Sequence, residues 1–129
     1  MALSKATLAE VFEACQRSVT AHKRGWQRCL ELQEDDREGF AEEFIEHVDR
    51  LLIVWKREPA VERLCKFVVH FVTAPDQQKG SASESLFLQL IRHLLEASNA
   101  NDKAVRFRAS DIIASMMNQL DEEAELEYG

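Results

Sequence analysis

The sequence predicts an all-α protein, and two observations support that class. Only four of its 129 residues are Gly and two are Pro, which leaves few positions able to interrupt a helix. Apolar residues recur at intervals of three and four along nearly the whole chain, which is the spacing of one helix face. A chain of this length can bury one modest core, but it is too short for a core and a separate catalytic domain. An elaborate multidomain enzyme is therefore excluded.

The first part of the chain is expected to contain two helices. The run Thr7-Leu8-Ala9-Glu10 fits a capping box, in which two side chains satisfy backbone donors of the first turn. An apolar stripe through Val19 follows it and predicts a helix over about 7–20. A second helix is expected over about 23–33, although Gly25 leaves its first residue less well defined. The acidic run at 34–38 is then interpreted as a solvated connection.

The remaining helices follow from the same spacing. A strong apolar pattern predicts a helix over 40–57, which Pro59 ends, because Pro disfavours helical geometry in the residue before it. Pro also suits the first turn of the next helix, which is apolar on most sides. Because the segment that begins at Pro59 is rich in β-branched residues, a strand there is the alternative. After a turn-rich linker at 75–83, two more helices are expected over 83–98 and 102–120.

The helices repeat with a period of about 44 residues. The helix over 40–57 matches that over 83–98 at an offset of 43, and the following helices match at an offset of 44. Two antiparallel helices per unit of this length are typical of HEAT or armadillo repeats, which bury their apolar faces only by stacking. The sequence therefore predicts one HEAT-like α-solenoid segment over 1–129, with about three stacked antiparallel helix pairs at about 7–33, 40–73 and 83–120.

A shorter motif within residues 101–109 supports the HEAT assignment. It has an Asp before the second helix of the unit, then Val-Arg, then Ala. Asp102 is expected to cap that helix, and Arg106 to reach an acid in the neighbouring unit, which forms a ladder between repeats. The preceding unit has Pro59 at the equivalent turn, where it would set the first turn in place of the Asp.

Several motifs resemble the CAP-G family, the HEAT-repeat subunit of condensin also called condensin subunit 3. They are EEFI at 42–45, VWKREPAVER at 54–63, FVT at 71–73 and AVRFR at 104–108. The KREPAVER run is the most specific of them, and the resemblance covers most of residues 40–118. Family members are much longer solenoids, so the chain is expected to be the N-terminal portion of one, a fragment of a longer protein.

The resemblance implies a non-catalytic role in condensin, the complex that compacts chromosomes in mitosis and meiosis. It implies binding to the kleisin subunit, association with the SMC ATPase subunits through the complex, and a basic groove that holds double-stranded DNA. The implied location is the nucleus and the chromosome, with the cytoplasm possible between divisions.

Basic side chains that repeat from one unit to the next are the candidates for DNA contact. Such a stripe binds phosphates without reading bases, because counterion release supplies the affinity. The alternative is that these side chains serve helix C-termini and ion pairs with nearby acids such as Glu58, Glu62 and Asp102. The DNA-contact candidates are Lys56, Arg57, Arg63, Lys66, Lys103 and Arg108, whereas Arg106 is assigned to the ladder.

The sequence favours neither an enzyme nor a cofactor or metal site. The four His residues are not spaced as ligands, no Cys-x-x-Cys occurs, and no Gly-rich phosphate loop or triad pattern is recognisable. Cys15, Cys29 and Cys65 are expected to be reduced core residues of an intracellular protein without a membrane span or a small-molecule substrate. The competing hypothesis, which the net charge of −7 favours, is a small acidic helical adaptor that binds a peptide and no DNA.

Overall fold

A computed structural model describes residues 6–54, 58–80 and 85–128 of the chain. These described residues form six α-helices and two 3₁₀ turns, with no strand among them, which confirms the predicted all-α class. The segment from Pro59 to Thr73 is helical, so the alternative of a strand there is wrong. The helices are α1 (Leu8–Arg17), α2 (His22–Asp35), α3 (Arg37–Val54), α4 (Pro59–Thr73), α5 (Leu86–Ala97) and α6 (Lys103–Tyr128).

The start of α1 is fixed by the capping box that the sequence predicts. The Glu10 backbone N–H donates to Thr7 Oγ1 at 3.3 Å, and the Thr7 backbone N–H donates to Glu10 Oε1 at 3.0 Å. The Thr7 hydroxyl also donates to Glu10 Oε1, at 3.1 Å. The bond from the Thr7 backbone N–H and, after it, the bond from the Thr7 hydroxyl stabilise the carboxylate and lower the pKa of Glu10. The helix is shorter than predicted, because it ends at Arg17 and is followed by the 3₁₀ turn Val19–Ala21. Val19 was expected on the apolar stripe, but it is exposed.

The connection between α2 and α3 is much shorter than the acidic run suggested. Helix α2 continues to Asp35 and α3 begins at Arg37, so only Asp36 separates them. The Asp36 backbone N–H donates to the Leu32 carbonyl, and its side chain accepts from the Gly39 N–H at 3.0 Å. One residue therefore ends one helix and caps the next. The acids around it are exposed, as predicted, but they lie on helices rather than in a loop.

The chain divides into two compact units, residues 1–67 and 68–129, with the boundary inside α4. Each unit has its own buried apolar residues. The stacking of three helix pairs into a solenoid stays a prediction.

The core of the first unit is built on aromatic rings. The ring of Phe12 lies edge-on to that of Phe44, with centroids 5.4 Å apart, and to that of Phe67, at 6.5 Å. The Phe67 ring also packs against His22 and Trp26, at 5.3 and 6.4 Å. Such edge-to-face pairs add to the free energy that burial of the rings contributes. These contacts hold α1, α2, α3 and the first turns of α4 together.

Two cysteines are part of the same core. Cys15 and Cys29 are fully buried, and burial raises the pKa of each thiol to about 12. For Cys29 the neighbouring Cys15 raises the pKa further, and Arg28 opposes the shift. Both thiols therefore stay protonated at neutral pH, and a protonated buried thiol is inert as a nucleophile. Cys65 is only partly buried, and none of the three, all within the described residues, forms a disulfide.

Gly25 lies where α2 packs against α1. A Cβ atom at this position would lie 3.0 Å from Val11 Cγ1 and 3.1 Å from Cys15 Sγ, and both of these side chains are fully buried. The sequence flagged this glycine only as a weak point in the helix. Its structural role is to let the two helices pack closely.

Gly25→Ala is expected to lower the free energy of unfolding by about 1 kcal/mol. Ala is favoured over Gly within a helix by up to ~1 kcal/mol, but overpacking a well-filled core costs about 1–3 kcal/mol. Urea denaturation of Gly25→Ala, of Val11→Ala and of the double variant with both changes checks this. The Val11→Ala background removes the nearest atom, so Gly25→Ala should cost less there. An equal cost in both backgrounds would contradict the packing explanation.

The second unit has an apolar core shared between its helices. Helices α5 and α6 lie against each other. The buried residues recur at helical spacing on each, as the sequence predicts. They are Leu86, Leu90 and Leu94 on α5, and Ala109, Ile112 and Met116 on α6.

Candidate nucleic-acid interface

Lys56 and Arg57, the first two candidates for DNA contact, lie outside the described residues. The described part of their turn resumes at Glu58, and Pro59 occupies the first position of α4. The Glu62 backbone N–H donates to the Glu58 carbonyl, which closes the first turn. A Pro at this position needs no cap for its own nitrogen, because it has no N–H to satisfy. The assignment of Pro59 to a ladder between repeats stays a prediction.

Arg63 is held by the end of another helix. Its Nε donates to the Gln16 carbonyl oxygen at 2.8 Å, in the last turn of α1. His22 Nε2 lies 3.3 Å from the neighbouring Cys15 carbonyl oxygen. The last carbonyls of a helix have no partner within the helix and carry partial negative charge, so a guanidinium there is favourable. Half-buried Arg63 thus has the structural role that was the alternative to DNA contact, although its other guanidinium nitrogens could still meet a phosphate.

Lys66 lies three residues further along α4 and is exposed. Its ammonium group makes no hydrogen bond or ion pair with any residue that the structure describes. A lysine ammonium at the end of a long exposed side chain acts as a mobile point charge. In the first unit, Lys66 is therefore better placed than Arg63 to contact an anion.

Several hydrogen bonds hold the start of α6. Asp102 Oδ1 accepts from the backbone N–H groups of Ala104 and Val105, at 2.8 and 3.4 Å, and caps the helix. Arg106 Nη1 donates to the carbonyl oxygens of Ala100 and Asn101, at 2.9 and 3.2 Å. Arg106 thus ties the turn after α5 to the first turn of α6. The predicted ladder from Arg106 to an acid in a neighbouring repeat stays a prediction.

Three side chains on the first two turns of α6 differ in how far they reach solvent. Lys103 is exposed, and Arg108 is half-buried. Phe107, between the two arginines, is 64% exposed. In the sequence, Phe107 stands out only as part of the AVRFR motif. Its exposure follows from helical geometry, because residue 107 lies roughly opposite the buried stripe of Ala109, Ile112 and Met116.

A third group of basic residues lies on α2, and it too contains both hydrogen-bonded and exposed side chains. Arg28 Nε donates to the Ala6 carbonyl oxygen at 2.8 Å, and Arg28 Nη1 pairs with Glu31 at 3.0 Å. Lys23 and Arg24, one turn earlier, are exposed. The arginines Arg28, Arg63 and Arg106 donate to backbone carbonyls. By contrast, the side chains of Lys23, Lys66 and Lys103 are exposed.

Over residues 6–54, 58–80 and 85–128, no three His, Cys, Asp or Glu side chains are grouped so that they could hold a metal ion. Within the same ranges, no helix combines the length and the apolar character needed to cross a membrane.

Comparisons with known proteins converge on one kind of protein. No protein-family model matches the chain, and no solved structure matches it significantly. Condensin complex subunit 3 from Homo sapiens is 37% identical over 98 residues, which cover 72% of this chain and 10% of the relative. Its counterpart from Xenopus laevis is 31% identical over 128 residues, which cover 93% of this chain and 12% of that relative. The counterpart from Schizosaccharomyces pombe is 26% identical over 109 residues, which cover 84% of this chain and 12% of that relative.

The chain thus spans about a tenth of the length of the curated relatives it matches. The three relatives come from a mammal, an amphibian and a yeast, and all carry the same name. The resemblance expected from the KREPAVER and AVRFR motifs is therefore confirmed, and over most of its length this chain is a relative of condensin complex subunit 3.

Proposed function

We propose that this chain is part of a non-SMC HEAT-repeat subunit of condensin, which acts without catalysis in mitotic and meiotic chromosome condensation. The observation that carries the proposal is the similarity of 72–93% of the chain to three relatives named condensin complex subunit 3. The whole protein then works in the nucleus, on the chromosome. Its partners are a kleisin, the SMC ATPase subunits through the complex, and double-stranded DNA.

The identity of the complex is tested by purification. The endogenous protein, tagged and purified from dividing cells, should bring with it a kleisin and two SMC ATPase proteins. Purification without these partners would contradict the assignment, and the small acidic adaptor would then be the better description.

The DNA contact in this proposal rests on the exposed lysines. Lys66 and Lys103 carry charges that no described residue neutralises, whereas Arg63 and Arg106 are engaged with carbonyl oxygens. Contacts of this kind bind phosphates of any sequence, because the favourable term is the release of counterions from the DNA. Lys56, Arg57 and Arg108 remain in the proposal as further contacts on the strength of the sequence alone.

Reversing both exposed charges is expected to weaken binding to duplex DNA roughly tenfold at low salt. The test uses the full natural protein with its co-purifying subunits and a Lys66→Glu, Lys103→Glu double variant. Each lost phosphate contact lowers the slope of log affinity against log salt by ~0.9, so the double variant should lower it by about 2. Fluorescence anisotropy with labelled duplex at several salt concentrations measures both quantities.

A second double variant, Arg17→Glu with Lys79→Glu, is a matched control. It also reverses one exposed charge in each unit and changes the net charge equally. Its two cations already have partners, since Arg17 pairs with Glu13 and Lys79 Nζ lies 3.2 Å from Asp76. The control should bind DNA almost as well as the natural protein. Equal losses in both double variants would contradict a local contact at Lys66 and Lys103 and indicate an effect of net charge alone.

A further inference from the structure

We propose that Phe107 is an apolar DNA contact that works beside Lys103 on the first two turns of α6. The inference rests on the proposed binding of duplex DNA, and it adds a residue of a different chemical kind to that site. The ring would pack against deoxyribose or wedge between base pairs in the minor groove, while the lysine meets a phosphate. Architectural DNA-binding proteins combine apolar wedges with nearby cations in this way.

The first observation is the exposure of Phe107. The side chain is 64% exposed, although burial of a phenylalanine normally contributes about 1.5–3 kcal/mol. Lys103 and Ala104, one turn earlier, lie on the same side of the helix because residues three and four apart are neighbours on its surface. Both are exposed. The first turn of α6 therefore presents a small apolar patch with an ammonium group at its edge.

The second observation is that this patch is held in place. Asp102 caps the helix at its first turn, and the Arg106 guanidinium clamps the preceding turn through two carbonyl oxygens. A preorganised surface loses less conformational freedom when a partner binds, so more of the contact energy appears as affinity.

The third observation concerns charge and points to DNA as the occupant. Residues 103–108 contain three cations and no acid, and of these cations Lys103 is exposed while Arg106 donates to two carbonyl oxygens. A polyanion complements such a segment, and the minor groove offers sugar edges that an aromatic ring can cover. Asp111 lies one turn beyond Phe107 on the same side, so the surface suited to DNA ends within the first two turns.

The two kinds of contact make different predictions for salt dependence. A phosphate contact by Lys103 contributes to the slope of log affinity against log salt, because it displaces a counterion. An apolar contact displaces none. Phe107→Ala in the full natural protein, purified with its subunits, is therefore expected to weaken duplex binding about fivefold at every salt concentration. Lys103→Gln should instead lower the slope by about 1.

Met117→Ala is the matched control for Phe107→Ala. Met117 is also a large apolar side chain of α6, and it is 41% exposed, but it lies ten residues further along the helix. It should leave the affinity for duplex DNA unchanged. Phe107→Leu, which keeps an apolar side chain without the ring, should lose less affinity than Phe107→Ala. An unchanged unfolding temperature in Phe107→Ala, Phe107→Leu and Met117→Ala shows that the fold is intact.

The outcomes separate the inference from the proposed function on which it rests. If the natural protein has no affinity for duplex DNA, the DNA-binding part of the proposed function fails. If it binds DNA but Phe107→Ala binds as well as Met117→Ala, only the inference is overturned. The inference is also overturned if Phe107→Ala loses a co-purifying subunit while its affinity for DNA is retained, because the patch then binds protein.

Discussion

Phe67→Ala is expected to lower the free energy of unfolding by about 3–5 kcal/mol, the largest effect of any single change discussed for this chain. Phe67 is 1% exposed, and its ring contacts Phe12, His22 and Trp26. Truncation would remove these contacts and leave a cavity between α1, α2 and α4 that the surrounding rings can fill only in part. Both the lost burial and the cavity destabilise the fold.

Urea denaturation followed by circular dichroism measures the effect of Phe67→Ala. Phe107→Ala is the matched control, because it makes the same chemical change at a residue that is 64% exposed. Surface substitutions of this kind usually change the free energy of unfolding by less than about 0.5 kcal/mol. Similar losses in the two variants would show that the cluster around Phe67 does not stabilise the first unit.

Ser85→Ala is expected to lower the free energy of unfolding by about 2–3 kcal/mol, because one hydroxyl makes two buried or partly buried hydrogen bonds. Ser85 has no exposed surface. Its Oγ donates to the Gln77 carbonyl oxygen at 2.8 Å and accepts from the Leu88 backbone N–H at 3.2 Å, where it caps α5. Alanine would leave both groups without this partner, and a buried carbonyl without a donor is costly.

Thermal and urea denaturation of Ser85→Ala test this expectation. Ser110→Ala, a change at an exposed serine on α6, is the control and should be nearly neutral. Amide hydrogen exchange adds a local measurement, because the Leu88 N–H should lose protection in the Ser85 variant. Equal stability of the two variants, with unchanged protection of Leu88, would show that the hydroxyl contributes little.

Sequence patterns succeeded where the governing interactions are local. The capping box at Thr7 and the new helix at Pro59 depend on residues within one turn, so the residue types alone indicate them. The acidic run before Phe40 shows the limit of such patterns. Glutamate and arginine are good helix formers on a solvated face, and the run therefore remained helical except at Asp36. Polarity indicates exposure more reliably than it indicates a loop.

The candidate DNA site depends on contacts between residues far apart in the chain, which sequence patterns do not reveal. Arg63 and Lys66 look alike in the sequence, as neighbouring cations on one helix. Only the fold brings the Gln16 carbonyl, 47 residues away, to Arg63 and leaves Lys66 in solvent. For Phe107 the sequence does contain a signal of exposure, since helical periodicity places it opposite the buried stripe. Its place in the AVRFR motif does not indicate that exposure.

The sequence by itself determined the all-α class, the starts of α1 and α4, and the relationship to condensin complex subunit 3. These depend on periodicity, on contacts within a turn, and on residue identity. The tertiary structure alone decided which cations are available to an anion and which glycine brings two helices together. A side chain's partner is set by whichever backbone group or atom the fold places beside it, and for Arg63 and Gly25 that group belongs to a different helix.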